Sequence, residues 1–546
     1  MGGTCFSSSV RPGQDGRVSE PTFAALLTAR ADDDATALWF EERRWTWREV
    51  IAESRQRAGL LTELRTDGPW HVGLALENTA EHLFWWCACA LAGATGVGIN
   101  PTRRGADLAR DITFTDCQAI VVDDSRRALL EGIDTTVPPE RVLHVDAASY
   151  RKRLAATEPG GVGDVPPDSV FSLVFTSGTT SAPKAVICTQ GRMGRIATQQ
   201  AERRGLSTTD VFYVVMPMFH SNALMAGVAP AVAVGGTIVL RRRFSASGWL
   251  PDVRRYGVTF FNYVGKPLNY VLATPERPDD ADNTLRIAFG NEAAEGDIAA
   301  FARRFDCRVI DSFGSSEGEI QIIRTPQTPR GSLGVAAPST VVLDPETLTE
   351  CPPARFDEHG RLLNADEAVG EIVNRDGALL FEGYWNNAEA EQRRLRHGWS
   401  WSGDLAYRDA DGFFYFAGRS GDWLRVDGEN LATAPIERLL VRYDAFAAVA
   451  VVAVPDEAVG DQVFAVAERA GDREFDAEDF SAFLESQPDL GTKWAPRYLR
   501  LVDELPRTPT NKVLKRRIDP DLTPGPRLWQ RVGSSLEYTV ATMMES

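Results

Sequence analysis

The segment that says most about the fold runs from Val174 to Lys184 and reads Val-Phe-Thr-Ser-Gly-Thr-Thr-Ser-Ala-Pro-Lys. It begins as a hydrophobic strand and continues into small hydroxyl residues, a glycine and a lysine. Glycine gives the backbone freedom, hydroxyl and N–H groups donate to phosphate oxygens, and lysine adds a positive charge. The segment therefore predicts a phosphate-binding loop after a strand, with a plain surface turn as the alternative if it is taken alone.

This loop differs from the commonest nucleotide-binding pattern, GxxxxGK[ST]. In that pattern glycine directly precedes the lysine, whereas Lys184 follows Pro183. An ordinary P-loop NTPase, and with it a P-loop kinase, is therefore disfavoured. A kinase would also release ADP rather than AMP.

Outward from this segment, helical stretches alternate with short β-branched runs. The runs that predict strands are Ala119–Val122, Val170–Phe175, Phe212–Val215, Thr237–Leu240, Val258–Tyr263, Leu285–Phe289 and Arg308–Asp311. Such alternation is typical of an α/β domain with largely parallel sheets. Between residues 331 and 415 the pattern becomes richer in strands, and another α/β stretch follows.

At 546 residues the chain is too long for a single hydrophobic core. We expect a flexible arm over residues 1–18, a large α/β domain with a strand-rich subdomain over residues 19–420, and a small C-terminal α+β domain over residues 421–546. The arm is rich in Ser, Gly and Arg and shows no hydrophobic periodicity.

Composition excludes several classes of function. The 59 basic and 76 acidic residues give a net charge of -17, which disfavours binding to nucleic acid or to an anionic membrane. Seven cysteines without a CxxC pair indicate neither a disulfide framework nor a zinc site. A cytoplasmic protein without an export signal is expected.

One uncharged stretch needs separate consideration, because residues 82–102 contain no Asp, Glu, Lys or Arg. Its length approaches that of a membrane span. Its Ala and Gly content and the stop at Gly98-Ile99-Asn100-Pro101 instead favour a buried helix that runs into a core strand.

Further segments follow in the order found in one known superfamily. They are Asn78–Glu81, Pro217–His220, Phe313–Glu317, Trp401–Leu405, Gly418–Asp422 and Pro506–Lys512. Together with the phosphate loop, they resemble the superfamily of acyl-CoA synthetases, peptide-synthetase adenylation domains and luciferases, over nearly the whole chain. Residues 260–265 and 428–430 look most like its fatty-acid-transport and very-long-chain acyl-CoA synthetase branch.

The resemblance implies an ATP site that forms an acyl-adenylate. Its phosphate loop would be Thr176, Ser177, Gly178, Thr179 and Thr180. Adenine would lie at Gly290, Asn291 and Glu292, with Phe313 and Gly314 beside the nucleotide. Asp404 would accept hydrogen bonds from both ribose hydroxyls, and Arg419 would contact the nucleotide.

The resemblance also implies the catalytic groups. Lys512 would be the adenylation lysine, Lys184 the phosphate-loop lysine, and Ser316 the hydroxyl that meets phosphate or carboxylate. Glu317 would hold Mg²⁺, an ion that prefers hard oxygen ligands together with nucleotide phosphates. Only six of the 59 basic residues are lysines, and two of these six are Lys184 and Lys512.

The implied acyl pocket contains His220, Phe219, Phe261 and Tyr263. These side chains suggest a hydrophobic acid, either long-chain or polycyclic. In the family, the small domain rotates about a hinge, here Gly421, so that the loop at Gly428 lines the tunnel for coenzyme A.

The predicted reaction is therefore ligation of an acid to coenzyme A through acyl-AMP. Alternatives are an enzyme that loads a carrier protein and a non-catalytic adenylate-binding protein. A further alternative rests on Ser181 and Asn511, which stand where many relatives have glycine. Side chains there stiffen elements used only for adenylation. On this hypothesis the protein mainly converts an acyl-adenylate made by a partner enzyme.

Overall fold

The computed structural model describes residues 21–161, 163–176, 183–293, 295–358, 362–419, 423–426, 429–456, 460–471, 473–487, 490–491, 493–507, 513–533 and 535–541. The chain forms two compact units. The first unit comprises Met1–Ile310 and Glu382–Ala390, and the second comprises Asp311–Phe381 and Glu391–Ser546. The expected domain boundary at residue 420 stays a prediction.

The first unit contains strands at six of the seven predicted runs, together with six strands that those runs did not predict. They are β1 (Thr36–Phe40), β2 (Arg43–Thr46), β3 (His71–Ala75), β4 (Thr95–Gly98), β5 (Cys117–Val122), β6 (Val142–His144), β7 (Val170–Thr176), β8 (Lys184–Thr189), β9 (Val211–Val214), β10 (Thr237–Leu240), β11 (Phe260–Val264) and β12 (Ile287–Asn291).

Helices connect these strands. They are α1 (Phe23–Thr28), α2 (Trp47–Leu64), α3 (Ala80–Ala92), α4 (Gly105–Phe114), α5 (Ala148–Ala156), α6 (Gln190–Arg204), α7 (Ala229–Val234), α8 (Ala246–Tyr256), α9 (Pro267–Leu272) and α10 (Glu295–Phe305), with a π-helix at Asn222–Val228.

Two sheets form the frame of the first unit. One has the order β6-β5-β3-β4-β7-β8, and the other contains the run β12-β11-β9-β10-β1-β2. Each is parallel except for a final antiparallel strand, β8 on β7 and β2 on β1. The expected α/β architecture is confirmed. Ligands in such sheets bind beyond the carboxyl ends of the strands. Predicted site segments follow or end β7, β9 and β12.

The uncharged stretch forms a buried helix and a core strand, as expected. Thr79 begins α3 by accepting a hydrogen bond from the His82 amide at 3.3 Å, and Gly93 ends it with φ +74°. Its apolar residues lie in the main core cluster, and β4 follows directly. Among the described residues, no helix is both long and apolar enough to cross a membrane.

The second unit is richer in strands, as predicted from the sequence. They are β13 (Arg308–Gly314, which crosses the unit boundary), β14 (Gln321–Ile323), β15 (Val335–Ala336), β16 (Thr340–Leu343), β17 (Gly370–Asn374), β18 (Leu395–Arg396), β19 (Trp399–Arg408), β20 (Phe414–Arg419), β21 (Trp423–Val426), β22 (Glu429–Ala432), β23 (Phe446–Asp456), β24 (Gly460–Arg469), β25 (Tyr498–Val502), β26 (Leu528–Arg531) and β27 (Tyr538–Val540).

Four described helices accompany these strands: α11 (Ala365–Ala368), α12 (Ala388–Arg394, which also crosses the boundary), α13 (Thr433–Leu440) and α14 (Ala477–Glu485). β16, β17, β19 and β18 form one antiparallel sheet with β20 on β19, and the strands from β21 onward form another. A hairpin at residues 409–413 joins β19 to β20, with Arg408 opposite Phe414.

Candidate active site

The predicted site residues fall in both units, and each group is described within its own unit. Several of them lie outside the described residues: Ser177, Gly178, Thr179, Thr180, Gly421, Gly428 and Lys512. The backbone of Arg419 is described, and it ends β20.

In the first unit, the two ends of the phosphate segment are held next to each other. β7 and β8 are antiparallel, and their last pair places Thr176 opposite Lys184. The Lys184 ammonium lies 5.9 Å from the centre of the Tyr384 ring, within reach of a cation–π attraction. The sheet therefore holds Thr176 and Lys184, the two residues that flank the phosphate segment, opposite each other.

A later piece of chain supports the strand that carries Lys184. The Trp385 amide donates to the Ala185 carbonyl at 2.9 Å, and the Ile187 amide donates to the Gly383 carbonyl at 3.1 Å. The Glu382 carboxylate accepts from the Thr189 amide at 2.8 Å and from its hydroxyl at 2.7 Å. Residues 382–387 thus extend the sheet beyond β8, which explains why they belong to this unit.

The segment that carries His220 is fixed by a buried asparagine. Asn78 is 6% exposed, and its amide donates to the Met216 carbonyl at 2.8 Å and accepts from the Met218 amide at 2.9 Å. The segment then turns, with the His220 amide donating to the Pro217 carbonyl at 3.0 Å. Asn78 lies in a motif of the family resemblance, but its positioning role was not predicted.

A glycine also limits the position of this segment. A Cβ added at Gly98 would lie 2.5 Å from the Phe219 carbonyl oxygen, so the end of β4 and the backbone before His220 pack directly together. The rings of Phe219 and His220 are 4.5 Å apart. Two of the predicted pocket residues are thus placed together beside the carboxyl end of β4.

His82, which follows the same asparagine, is not a candidate base. Burial lowers its pKa to about 3, so its imidazole is neutral near pH 7. Its Nδ1 lies 3.1 Å from the Glu77 carbonyl, and its ring stacks on Trp86. His82 is therefore a structural residue of α3.

The predicted adenine segment lies at the carboxyl end of β12. Tyr263 pairs with Gly290 in the parallel register, and a Cβ at Gly290 would lie 2.3 Å from the Tyr263 carbonyl oxygen. Only glycine fits this close approach. Glu292 has φ +66°, a left-handed conformation that is uncommon for a residue with a side chain and tends to occur at functional sites.

Phe261 and Tyr263 occupy a different place from the pocket wall predicted for them. Both are fully buried and pack in a core cluster with Trp249 and Phe301 of α8 and α10. Side chains alternate along a strand, so the face of β11 toward the π-helix carries Phe260 and Asn262 instead. The placement of Phe261 and Tyr263 favours a core role.

In the second unit, Phe313 to Glu317 lie at the end of β13 and in the turn before β14. Gly314 pairs with Gln321 across the antiparallel strands. The Gly318 amide donates to the Ser315 hydroxyl at 3.3 Å, and Gly318 has φ +81°. This turn places Glu317, which is 7% exposed, beside Ser316.

The predicted ribose residue, Asp404, lies within β19, where the pairing with β17 has a bulge. The Gly403 amide donates to the buried Glu371 carboxylate at 2.7 Å, and Gly403 has φ +75°. The Asp404 amide donates to the Ser402 hydroxyl at 2.9 Å. Asp404 is also paired with Arg419 in the β19–β20 register, so the backbone brings two predicted nucleotide residues together.

A buried ion pair joins these two segments of the second unit. Glu319 is 2% exposed, and its carboxylate accepts from the Arg394 guanidinium at 2.6 Å and from the Ser400 hydroxyl at 2.8 Å. Arg394 also donates to the Ser402 carbonyl at 2.7 Å and to the Ser315 hydroxyl at 3.3 Å. Arg394 therefore contacts both the turn of Glu317 and the part of β19 that carries Asp404.

Sequence reasoning missed Glu319, Arg394 and Glu371 because they lie outside the family motifs or at their edges. The one available signal was the second glutamate in Ser316-Glu317-Gly318-Glu319. Nothing local indicates that its carboxylate points into the protein, since that depends on an arginine 75 residues away.

Comparisons with known proteins show the family to which the chain belongs. A family model for AMP-binding enzymes matches residues 27–385, and a model for their C-terminal domain matches residues 435–512. The steroid-22-oyl-CoA synthetase of Rhodococcus jostii (strain RHA1) is 50% identical over 91% of this chain and 90% of its own length.

Two further comparisons support the same class. The medium/long-chain-fatty-acid–CoA ligase FadD17 of Mycobacterium marinum is 46% identical over 92% of this chain and 97% of its own length. The solved structure of ATP-bound MatB from Rhodopseudomonas palustris has a TM-score of 0.79 at 22% identity, covering 90% of this chain and 97% of that one. At that identity, the structural likeness shows the fold.

The fold and the ordered segments define an adenylate-forming enzyme, which confirms the resemblance. The chain belongs to the AMP-binding enzyme family. It is an acyl-CoA ligase, an acid–thiol ligase that uses ATP and coenzyme A.

The packing of Gly98 gives a first prediction. Gly98→Ala would push the Phe219 carbonyl and shift His220, so we expect kcat/KM for thioester formation to fall by about 10-fold to 100-fold. Gly73→Ala on the adjacent strand is the matched control, because a Cβ there meets side chains of Ile99 and Ile120 at 3.4 Å. Equal activities of the two variants would contradict the prediction.

The buried ion pair gives a second prediction. Arg394→Leu leaves the Glu319 carboxylate buried without its cation, which should lower the free energy of unfolding by about 3–5 kcal/mol. Arg375→Leu, which breaks a half-exposed contact to Glu350, should cost about 0–1 kcal/mol. Urea denaturation of both variants measures the difference.

Stability and positioning are separated by a double variant. Arg394→Leu with Glu319→Leu removes both buried charges and should recover much of the lost stability. The double variant also lacks the contacts to Ser315 and Ser402. We therefore expect its KM for ATP to be about 10-fold higher than that of the parent enzyme. A double variant with the parent KM for ATP would show that the pair has only a structural role.

Proposed function

We propose that this ligase activates a bulky hydrophobic acid, with a polycyclic steroid-type carboxylic acid as the first candidate and a long-chain fatty acid as the second. The observation that carries the proposal is the similarity over nearly the whole chain to the Rhodococcus jostii synthetase. Support from the site comes from Phe219, 7% exposed, which lies beside His220 and suits an apolar substrate.

In the first half-reaction, a carboxylate oxygen of the acid attacks the α-phosphorus of ATP, and pyrophosphate leaves. Lys512 and Lys184 stabilise the negative charge that develops on the phosphate oxygens. Ser316 donates its hydroxyl to a phosphate or to the carboxylate, and Asp404 holds the ribose hydroxyls. Gly290, Asn291 and Glu292 receive adenine.

Glu317 fits a magnesium site by its chemistry, because its carboxylate supplies the hard oxygen that the ion prefers. Among the described residues, no group of three His, Cys, Asp or Glu side chains could hold a metal ion. A site here would therefore combine one carboxylate with nucleotide phosphates. The bound ion would supply positive charge for the pyrophosphate leaving group.

In the second half-reaction, the sulfur of coenzyme A attacks the acyl carbonyl, AMP leaves, and the thiol proton passes to solvent. This step requires Lys512 to be replaced by the Gly428 loop, through rotation of the region after residue 420 about Gly421. The chain's division into residues 19–420 and 421–546 is part of this proposal.

The alternative in which adenylation is weak and a partner enzyme supplies acyl-adenylate rests on Ser181 and Asn511. Both lie outside the described residues, so this alternative stays a prediction. The expected cytoplasmic location also stays a prediction.

A screen of carboxylic acids tests the proposed function directly. Steroid carboxylic acids should give AMP release that depends on coenzyme A, with fatty acids converted less well and small aromatic acids not converted. Pyrophosphate exchange, measured with the best acid, should keep pace with thioester formation. Fast thioester formation from synthetic acyl-AMP with negligible exchange would instead favour the alternative with a partner enzyme.

The role of Lys512 is tested by separating the half-reactions. Lys512→Ala should lower acyl-AMP formation by about 100-fold or more, because the developing charge loses its cation. Thioester formation from supplied acyl-AMP should change by no more than about 3-fold, since the lysine is displaced at that stage.

The matched control is Lys515→Ala, three residues further along. The Lys515 ammonium forms an ion pair with the Glu437 carboxylate at 2.8 Å and donates to the Thr433 hydroxyl at 2.7 Å. This variant should retain both half-reactions. Equal loss of both half-reactions in Lys512→Ala would refute the assignment.

A further inference from the structure

The π-helix that follows His220 brings a polar pair against β11. Asn222 opens this helix, and the amide of Asn262, which is 0% exposed, donates to the Asn222 side-chain oxygen at 2.7 Å. π-helices are rare and occur frequently at functional sites. A fully buried asparagine on a strand otherwise rich in aromatic residues also needs an explanation.

The orientation of both amides is fixed by the backbone. The Asn222 side chain donates to the Tyr263 carbonyl at 3.4 Å. A carbonyl oxygen can only accept, so the amide nitrogen of Asn222 must face it and the amide oxygen must face Asn262. The nitrogen of Asn262 then donates to that oxygen. The remaining atom of Asn262 is Oδ1, which is an acceptor.

This Oδ1 has no hydrogen-bond partner within the described part of the chain. Leaving a buried acceptor unpaired costs free energy, so such a group calls for an explanation, and a bound ligand that donates to it is one. The neighbouring helix position is Gly227, where a Cβ would lie 2.9 Å from Oδ1 and 2.9 Å from a Val214 methyl. Glycine thus keeps any side chain away from this oxygen.

The acceptor lies in the part of the first unit where the acid is proposed to bind. Asn262 pairs with Phe289 in the β11–β12 register, one residue before the pair of Tyr263 with Gly290. It is two residues inside the carboxyl end of β11, which corresponds to about 7 Å along the strand. A substrate group that reaches it would lie on the body of the acid, well away from the reacting carboxyl group.

We propose that Asn262 Oδ1 accepts a hydrogen bond from a hydroxyl group on the hydrophobic body of the acid. The site therefore selects hydroxylated polycyclic acids over their deoxy and keto counterparts. A ketone is rejected because its oxygen and Oδ1 are both acceptors. This specificity rests on the proposed function of the same site.

The test uses sets of three polycyclic acids with the same side chain that carry a hydroxyl, a hydrogen or a ketone at one ring position. The ring position is varied from set to set. In one set, kcat/KM for thioester formation should be about 10-fold or more higher for the hydroxy acid than for the deoxy acid, and lowest for the ketone. A hydroxyl on the carbon next to the carboxyl group should give no such gain.

Variants of the pair identify the group responsible. Asn262→Leu with Asn222→Leu replaces both partners by apolar side chains of similar shape, which preserves packing better than a single change. This double variant should lose the preference for the hydroxy acid, so that kcat/KM becomes similar for the hydroxy acid and the deoxy acid. Asn269→Leu, at an exposed asparagine of α9, is the control that should keep the preference.

Asn222→Leu alone gives a readout that a purely structural role would not move. Without its partner, the Asn262 amide can rotate and present its nitrogen as a donor. The ratio of kcat/KM for the keto acid to kcat/KM for the hydroxy acid should therefore rise. Equal conversion of hydroxy and deoxy acids by the parent enzyme in every set would overturn the proposal, as would a preference that survives in the double variant. Failure to form a thioester from any polycyclic acid would instead refute the proposed function itself.

Discussion

Buried polar groups must find hydrogen-bond partners, and in this protein that requirement holds the predicted site segments in place. Asn78 brackets the backbone before His220, and Glu371 accepts the amide of Gly403. The pair of Glu319 and Arg394 contacts the turn that carries Glu317 and the strand that carries Asp404. In each case a side chain outside the predicted site residues fixes the backbone of a segment that carries one of them.

Both units meet this requirement with neutral and with charged side chains. In the first unit, Asn78 contacts the backbone before His220, and the Glu382 carboxylate accepts from the Thr189 amide and hydroxyl. In the second unit, the pair of Glu319 with Arg394 contacts two segments that are predicted to bind a nucleotide. Asn262 Oδ1 is one of the buried atoms without a hydrogen-bond partner in the described part of the chain.

Much of the fold could be predicted because its signals are local. The uncharged residues from His82 onward form α3 and β4, and the β-branched runs form β5, β7, β9 and β10. The segment after β7 was predicted to be a loop between a strand and Lys184, and the structure has Lys184 as the first residue of β8. The hydrophobic pattern that predicts a buried helix or a strand lies in consecutive residues. These elements could therefore be predicted without knowing which distant residues they contact.

What the sequence by itself determined was the class of enzyme and the order of its site segments, since motif chemistry is carried by neighbouring residues. The tertiary structure decided which distant residues hold those segments. Residues 382–387 lie beside the strand of Lys184, and Arg394 contacts both Ser315 and the β19 residue Ser402. The tertiary structure also moved Phe261 and Tyr263 into the core and turned Asn262 toward the π-helix. Which face of a strand meets which helix depends on packing between elements far apart in the chain, and no local pattern contains that information.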